Sequence, residues 1–484
     1  MRVLNVGTIV CLVLAVSCGD KNKDVDVKPD GTEQQRVADS VYLFSREIYL
    51  WDEIRSTSYG SFNPRQYVKS TDLETAEATI EAVRNTNAYD RDKKYSYATD
   101  YYDSEAANKA TQPESSYGFF VKRGWSNRMS GSGSFTGWFV TYVFPNSEAG
   151  QQGVQRGWKL IKVDNTTLTV NSIDILNNMF YDQTKKTARI TFQKPDGTQV
   201  PLDLSIKSFV PTSVLYSDIL RSSGGTNAGY LVYKFFDRLE DSRAAIEAAL
   251  ASFKNAGIKN IILDLRYNNG GFTRTQDFLA NSLAPATVST GNKMYTYYYN
   301  TDLQAGNYTL MRTRHSYSAT YYKPESNTIN FNKTDLSKGF SINPTNLYVI
   351  IGAQTASSAE LLINDLKPYF NGNMKLIGDG NTYGKPVGFF PIDLFKKVTF
   401  WTVSFMTKNS QDQPVPFSGI TPGYSAYDGV DKAWGDKTEE CTKKALDLID
   451  NPGLLAATET ASPRAATLQP GVQLKKQYYD NMLR

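Results

Sequence analysis

The sequence predicts a multidomain α+β protein with a small N-terminal helical domain, a β domain, and an α/β core built on a largely parallel sheet. Three observations carry this. Val37, Val41, Phe44, Ile48 and Trp51 follow one another at spacings of four and three, which places them on one face of a helix. From about residue 115 to 207, short alternating stretches are separated by Gly and Asn turns, the pattern of a β domain. From about residue 210 to 450, buried strands alternate with amphipathic helices, which favours right-handed crossovers and a parallel core.

The chain opens on "MRVLNVGTIVCLVLAVSC". One Arg precedes an apolar run from Val3 to Ser17 that is shorter than the roughly 20 residues a helix needs to span a bilayer. This is the pattern of a signal peptide over 1–17. Ala15 and Ser17 ahead of Cys18 resemble the lipobox of bacterial lipoproteins, in which the cysteine becomes the lipidated N-terminus. A plain secretory signal cleaved nearby is the alternative. Lipidation at Cys18 implies a membrane-anchored protein of the bacterial cell envelope, periplasmic or surface-facing. Loss of Cys11 with the signal and lipidation of Cys18 leave Cys441 alone, so no intrachain disulfide is expected.

Residues 18–35 are polar and charged and read as a tether. The helical domain is expected over 36–110. Its second helix is opened by the capping box Thr71-x-x-Glu74 and carries Leu73, Ala76, Ile80 and Val83 on one face. It could serve as a packing module or a partner surface. In the α/β core, 210–450, "DSRAAIEAALASFKNAG" reads as a helix that buries Ile246, Leu250 and Phe253 and stops at Gly257. "KNIILDLR" reads as a buried strand. Residues 451–484 form an Ala/Thr/Pro-rich tail.

Composition narrows the function. The 484 residues are 40% hydrophobic and 21% charged, with a formal charge of +4 and no long basic run, so no nucleic-acid partner is expected. With one histidine and one internal mature cysteine, a zinc HExxH protease and a Cys-His protease are both excluded.

Three loops could make one site. In "TASSAELL", Ser357 and Ser358 stand where a strand becomes a helix, and Ser357-x-x-Glu360 has the form of a capping box. A serine there is either a helix cap or a nucleophile facing the N–H groups of the first helical turn. In "LDLRYNNGG" a buried strand ends on Gly270 and Gly271, whose backbone could approach a ligand closely. In "GDGNTYGKPVG", Lys385 sits between glycine and proline. A lysine serves as a base only when neutral, which from a pKa of about 10.4 requires a site built to hold it so.

In this order the loops resemble the C-terminal processing peptidases, the tail-specific serine proteases of family S41. These carry a Ser-Ala-Ser-Glu nucleophile segment, a Thr-Phe-Gly-Lys base segment and an upstream Leu-Asp-Leu-Arg-x-Asn-x-Gly-Gly. Here the corresponding residues are Ser357 to Glu360, Thr382 to Lys385 and Leu263 to Gly271. "NSEAGQQGVQRGWKLIKVDN" is similar to the PDZ domains of bacterial proteases, with Trp158 replacing the usual Asp. The resemblance covers about 115–450. It implies a PDZ-like domain over 115–207 and a ClpP/crotonase-like protease core.

It further implies Ser357 as nucleophile and Lys385 as general base. The oxyanion hole would comprise the N–H of Ser358 and one from Gly270 or Gly271, with Glu360 and Thr382 as supports. No metal or cofactor is implied. Tyr117, Gly118, Phe119 and Phe120 fall where PDZ domains hold a peptide carboxylate, so polypeptides with free C-termini are the expected partners.

Two departures stand out. Lys385 follows Ser357 by 28 residues, a few more than the family pattern, with the extra length assigned to "PYFNGNMK". Phe389 occupies the position, four after the lysine, where many members carry an orienting glutamine. A Ser357–His315 pairing, a non-catalytic peptide-binding lipoprotein on the same fold, and a glycan-binding surface protein suggested by the 31 tyrosines remain as alternatives.

Overall fold

The computed structural model describes residues 30–101, 114–127, 132–180, 185–314, 327–335 and 337–454. Cys18, the signal and tether up to residue 29, His315 and the tail from 455 lie outside the described residues.

The N-terminal module contains α1 (Glu33–Ile48), α2 (Asp72–Arg84) and α3 (Ala88–Lys93). Thr32 and Gln35 form a capping box on α1, and Thr71 and Glu74 form the expected one on α2. Both boxes supply partners for amides that a helix start leaves unpaired. Val37, Val41, Phe44 and Ile48 are buried, but Trp51 lies beyond the end of α1. The module does not end on helices. It runs into β1 (Tyr97–Asp100), an edge strand of a sheet belonging to the core.

The β domain comprises β2 (Phe119–Asn127), β3 (Ser132–Val143), β4 (Lys159–Val163), β5 (Thr187–Gln193) and β6 (Gln199–Ser205), hydrogen-bonded in that order. The helix α4 (Ile173–Phe180) lies between β4 and β5 in sequence. The short helix at Glu148–Gln151 and the strand β4 follow the order read from "NSEAGQQGVQRGWKLIKVDN".

The core begins with β7 (Val214–Arg221), β8 (Asn227–Tyr233), α5 (Leu239–Asn255), β9 (Asn260–Asp264) and α6 (Thr273–Leu283). It continues with β10 (Lys293–Tyr298), β11 (Thr328–Asn330), β12 (Asn346–Ile350), α7 (Ser358–Phe370) and β13 (Met374–Gly378). The last elements are β14 (Val387–Leu394), β15 (Val398–Asn409), β16 (Tyr424–Ser425) and α8 (Glu440–Asp450).

One sheet runs β7-β8-β9-β12-β13-β16; only β7 is antiparallel to its neighbour, so the core sheet is largely parallel as expected. Its central strands β8, β9 and β12 are buried on both faces. Leu231, Leu263 and Val349 pack with Ile246, Phe253, Phe278 and Leu362 of α5, α6 and α7. Tyr230, Ile262 and Ile350 face Leu446 and Ile449 of α8. A strand covered on both sides reads as a continuous apolar run, as "NIILDL" does.

A second, antiparallel sheet was not legible beforehand. The long strand β15 pairs along one edge with β14, and along the other with β1 and then β10, which in turn pairs with β11. This sheet supports α1 and α2 through Val41, Phe44, Ile80, Val83, Val398, Phe400 and Val403. Residues 36–100 and the core thus share one hydrophobic interior.

Candidate active site

The parallel sheet brings two loops together at the C-terminal ends of adjacent strands, β9 and β12, the region where α/β sheets present their sites. After β12 the chain turns through Gly352–Ala356. Thr355 Oγ1 donates to the Leu265 carbonyl at 2.7 Å and accepts from Gly352 N–H at 3.0 Å. The Ala356 N–H donates to the Asn268 carbonyl at 3.0 Å. These contacts fasten the serine loop to the glycine loop.

Ser357 stands at φ +55° and ψ −121°, between this loop and α7. A non-glycine residue there carries backbone strain on the order of 1–3 kcal/mol, and such strain persists only where the surroundings fix it. Its N–H donates to Glu360 Oε2 at 2.9 Å. The neighbouring Ser358 is buried, and its hydroxyl donates to the Gly271 carbonyl at 2.6 Å. The two adjacent serines therefore differ: the Ser358 side chain ties α7 to the glycine loop.

Both glycines are required by close approach. Gly270 has φ +98°, and a Cβ on it would stand 2.7 Å from Ser357 Cβ and 3.0 Å from Ser358 N. Gly271 has φ +135°, and a Cβ there would meet the Phe236 carbonyl oxygen at 2.0 Å. The buried Asn268 side chain organises the loop, donating to the Tyr233 carbonyl at 2.9 Å and accepting the Gly270 N–H at 2.8 Å. Sequence reasoning missed Asn268; its signal was the Asn two residues before the glycine, a spacing at which asparagine side chains take backbone amides.

The third loop arrives over α7. Glu360, wholly buried, accepts from the Thr382 hydroxyl and from Gly384 N–H at 2.7 Å through Oε1, and from Lys385 N–H at 2.8 Å through Oε2. Thr382 Oγ1 also accepts the Ile420 N–H at 2.7 Å. Glu360 therefore holds the backbones of Ser357 and Lys385 with one carboxyl. Burial pushes its pKa up, while the four donors favour the ionised form.

Lys385 is buried at 6% exposure, and its Nζ lies 4.4 Å from the centre of the Phe389 ring. Burial brings its pKa down to about 7, against an opposing pull from Glu360. The Phe389 ring thus lies against the end of the Lys385 side chain. No direct hydrogen bond joins the Ser357 hydroxyl to Lys385 Nζ in this structure. The stretch "PYFNGNMK" forms the last turn of α7, a turn through Asn371 and Gly372, both at positive φ, and the start of β13.

Arg156 of the β domain reaches the core beside the glycine loop. Its guanidinium donates to Asp428 Oδ1 at 2.9 Å and to the Tyr267 hydroxyl at 3.0 Å, and lies 4.1 Å from the Trp434 ring centre. Arg266 also donates to Asp428 Oδ1 at 2.9 Å. The flanking cations hold the Asp428 carboxyl well below the usual carboxylate range despite burial.

In the β domain, Tyr117 is buried and donates its hydroxyl to the Lys185 carbonyl at 3.0 Å. Gly118, at φ +81°, packs on Ser147. Phe119 and Phe120 open β2, an edge strand of its sheet among the described residues, and both rings lie within 5.4 Å of Phe180 on α4. The expected carboxylate loop thus leads into an edge strand beside a helix. Among the described residues no group of three or more His, Cys, Asp or Glu could hold a metal ion. Cys441 is a buried free thiol.

The core is an α/β domain on a largely parallel sheet, with three loops meeting at one end of it. The family described as Peptidase family S41 matches residues 227–426, the span from β8 to just past β16. All three loops fall inside that span. A solved structure described as an S41 protease from Bacteroides fragilis aligns with a TM-score of 0.62 and 22% identity. That alignment covers 85% of this chain and 97% of that one, and it shows a shared fold. The photosystem II D1 C-terminal processing protease aligns at a TM-score of 0.45 and 16% identity, over 82% of this chain and 93% of that one. Mature CPAF aligns at 0.45 and 12%, over 87% and 98%. No curated protein matches the chain.

Proposed function

We propose that the protein is a serine endopeptidase that cuts polypeptides through an acyl-enzyme, with Ser357 as nucleophile and Lys385 as general base. The observation that carries this is the single Glu360 carboxyl holding the amides of both residues, which registers a strained serine against a buried lysine of depressed pKa. Neutral Lys385 takes the Ser357 proton as the hydroxyl attacks a peptide carbonyl, directly or through one water, since such contacts tighten only with substrate in place. The resulting ammonium protonates the leaving amine, and water then clears the ester.

The N–H of Ser358, at the start of α7, is one oxyanion donor. Gly271 is the better second donor, because the Gly270 N–H is already committed to Asn268. Thr382 and Glu360 support the lysine loop.

The edge of β2 beside α4 suits addition of a peptide as an extra strand, its carboxylate at Tyr117–Phe120. A lipid on Cys18 places this activity on the cell envelope. A non-catalytic peptide binder is the second reading, favoured by Phe389 in the glutamine position and by the absence of a direct Ser357–Lys385 hydrogen bond.

Cleavage of an unstructured protein such as casein, followed by gel and mass spectrometry, tests the proposal. Ser357→Ala and Lys385→Ala each abolish cleavage without unfolding the chain, whereas Ser358→Ala retains measurable activity and loses about 1 kcal/mol of stability with its buried hydrogen bond. Full activity in Ser357→Ala sinks the nucleophile assignment. A wild-type protein that binds peptides and cuts none leaves the binder reading. Amidating the substrate C-terminus weakens its binding; unchanged affinity removes the carboxylate loop.

A further inference from the structure

The lysine loop is held from two sides. Its amides point into the core: Thr382 N–H donates to the Ile420 carbonyl, Tyr383 N–H to Thr355, and Gly384 and Lys385 N–H to Glu360. Two of its carbonyls are taken by side chains of the N-terminal module. Lys93 Nζ donates to the Tyr383 carbonyl at 2.9 Å, and the buried Tyr95 hydroxyl donates to the Gly384 carbonyl. These partners come from nearly 300 residues away in sequence, so no local propensity produces them.

The module is built to present them. Asn87 caps α3 and accepts Tyr89 N–H at 3.0 Å, and Lys94 reverses the chain at φ +54°. Lys93 and Tyr95 thereby flank a tight turn. The buried Asp90 carboxylate accepts the Ser96 N–H at 2.8 Å, the Ser96 hydroxyl at 2.5 Å and the Tyr49 hydroxyl at 2.9 Å. Ser96 Oγ in turn accepts Val403 N–H of β15 at 3.0 Å. The segment carrying Tyr95 is thus fixed to the sheet. The Lys93 ammonium lies 4.9 Å from the Tyr383 ring centre, and the neighbouring Tyr89 ring stacks on Phe417 at 4.0 Å.

We infer that Lys93 and Tyr95 are positioning residues for Lys385, making the N-terminal helical module a working part of the catalytic site. The inference rests on the reading of Lys385 as the base. Its physical reason is that burial is what draws the Lys385 pKa down, so the neutral amine depends on a dry surrounding. A peptide carbonyl without its donor recruits water, and water at Tyr383 and Gly384 lies one or two residues from the lysine. Loosening the clamp therefore restores solvation to the ammonium and misplaces Nζ together. The charged and titratable groups packed against the loop are Glu360 from α7, Lys93 and Tyr95 from the module, and Tyr383 within it. Burial keeps the Tyr95 phenol protonated across the working range, and Lys93 donates whether charged or neutral.

The experiment compares full-length wild type with Tyr95→Phe and Lys93→Met, and with Lys93→Arg as rescue. It reads the pH profile of casein cleavage, the kcat and KM, the Tm, and the Lys385 titration by NMR of 13C-lysine-labelled protein. Both loss variants are expected to lower kcat at pH 7 about tenfold with KM unchanged, consistent with the sensitivity of rate to small misplacements. They also move the acid limb and the Lys385 titration to higher pH, and Lys93→Arg restores part of each. A fall in Tm with limb and titration unmoved makes the contacts merely structural and overturns the inference, as do wild-type values throughout. Activity in Lys385→Ala refutes the base assignment instead, and the NMR titration reads the clamp independently of activity.

Discussion

Glu360 and Lys385 are joined side chain to backbone: Glu360 Oε2 accepts the Lys385 amide at 2.8 Å, and the same oxygen accepts the Ser357 amide at 2.9 Å. One buried atom thus sets the separation of the two loops that carry the proposed dyad. The sequence offers Glu360 as an ordinary capping partner three residues after a serine. In the structure its second oxygen, engaged by Thr382 and Gly384, makes it a bracket between α7 and the lysine loop.

Replacing Glu360 with Gln turns one acceptor into an NH2 group facing N–H donors. Buried amides then lose their partners, at a cost of about 2–3 kcal/mol. The expected outcome is a lower urea midpoint and at least a tenfold fall in kcat, with the folded circular dichroism spectrum retained below the transition. A variant with wild-type kcat removes Glu360 from the positioning scheme.

The pH dependence follows from Lys385. Its folded pKa is lowered to about 7 from 10.5, so between these values the unfolded chain binds more protons than the folded one. Stability contributed by this site therefore rises as pH rises through that window, and below about 7 the folded protein bears a buried ammonium. Lys385→Met is expected to raise stability at pH 6 by about 4 kcal/mol, with the gain vanishing toward pH 10. Activity rises through about pH 7 as the neutral amine forms. Phe389→Ala wets the lysine and moves this limb toward alkaline pH. A chemical-denaturation series against pH and a rate profile check both signs.

Gly270→Ala places a Cβ 2.7 Å from Ser357 Cβ at a backbone φ of +98°. Neither loop can move away freely, because Ala356 and Asn268 are hydrogen-bonded across the gap. Loss of activity greater than a hundredfold and destabilisation of about 2 kcal/mol are expected. Cleavage assays and thermal unfolding on the same preparation test this. Unchanged kcat would remove the close approach of the two loops from the mechanism.

Much of the fold was legible because its signals are local. The α2 capping box, the amphipathic α5 and the apolar strand β9 each carry their pattern within a few residues, and each forms as read. The antiparallel sheet was not legible. Its strands β1, β10, β11, β14 and β15 come from distant parts of the chain, and β1 lies in what reads as a helical domain. Strand pairing of that range leaves no periodic trace at either partner. Trp51 fits the spacing of α1 but falls past its end, where Tyr49 leaves the helix in an extended conformation.

The sequence by itself determined the order of elements and the three loops with their residue types: a Ser-Ser-x-Glu at a helix start, paired glycines after a buried strand, and a lysine between glycine and proline. Tertiary structure decided which serine is spent on holding the glycine loop and which glycine amide is already engaged. It also decided that the Phe389 ring lies 4.4 Å from Lys385 Nζ. The reason is that hydrogen-bond commitment and dryness belong to the assembled neighbourhood. Ser358 meets Gly271, Glu360 meets Lys385, and Tyr95 meets Gly384 only after α1–α3, the glycine loop and α7 have closed around one another.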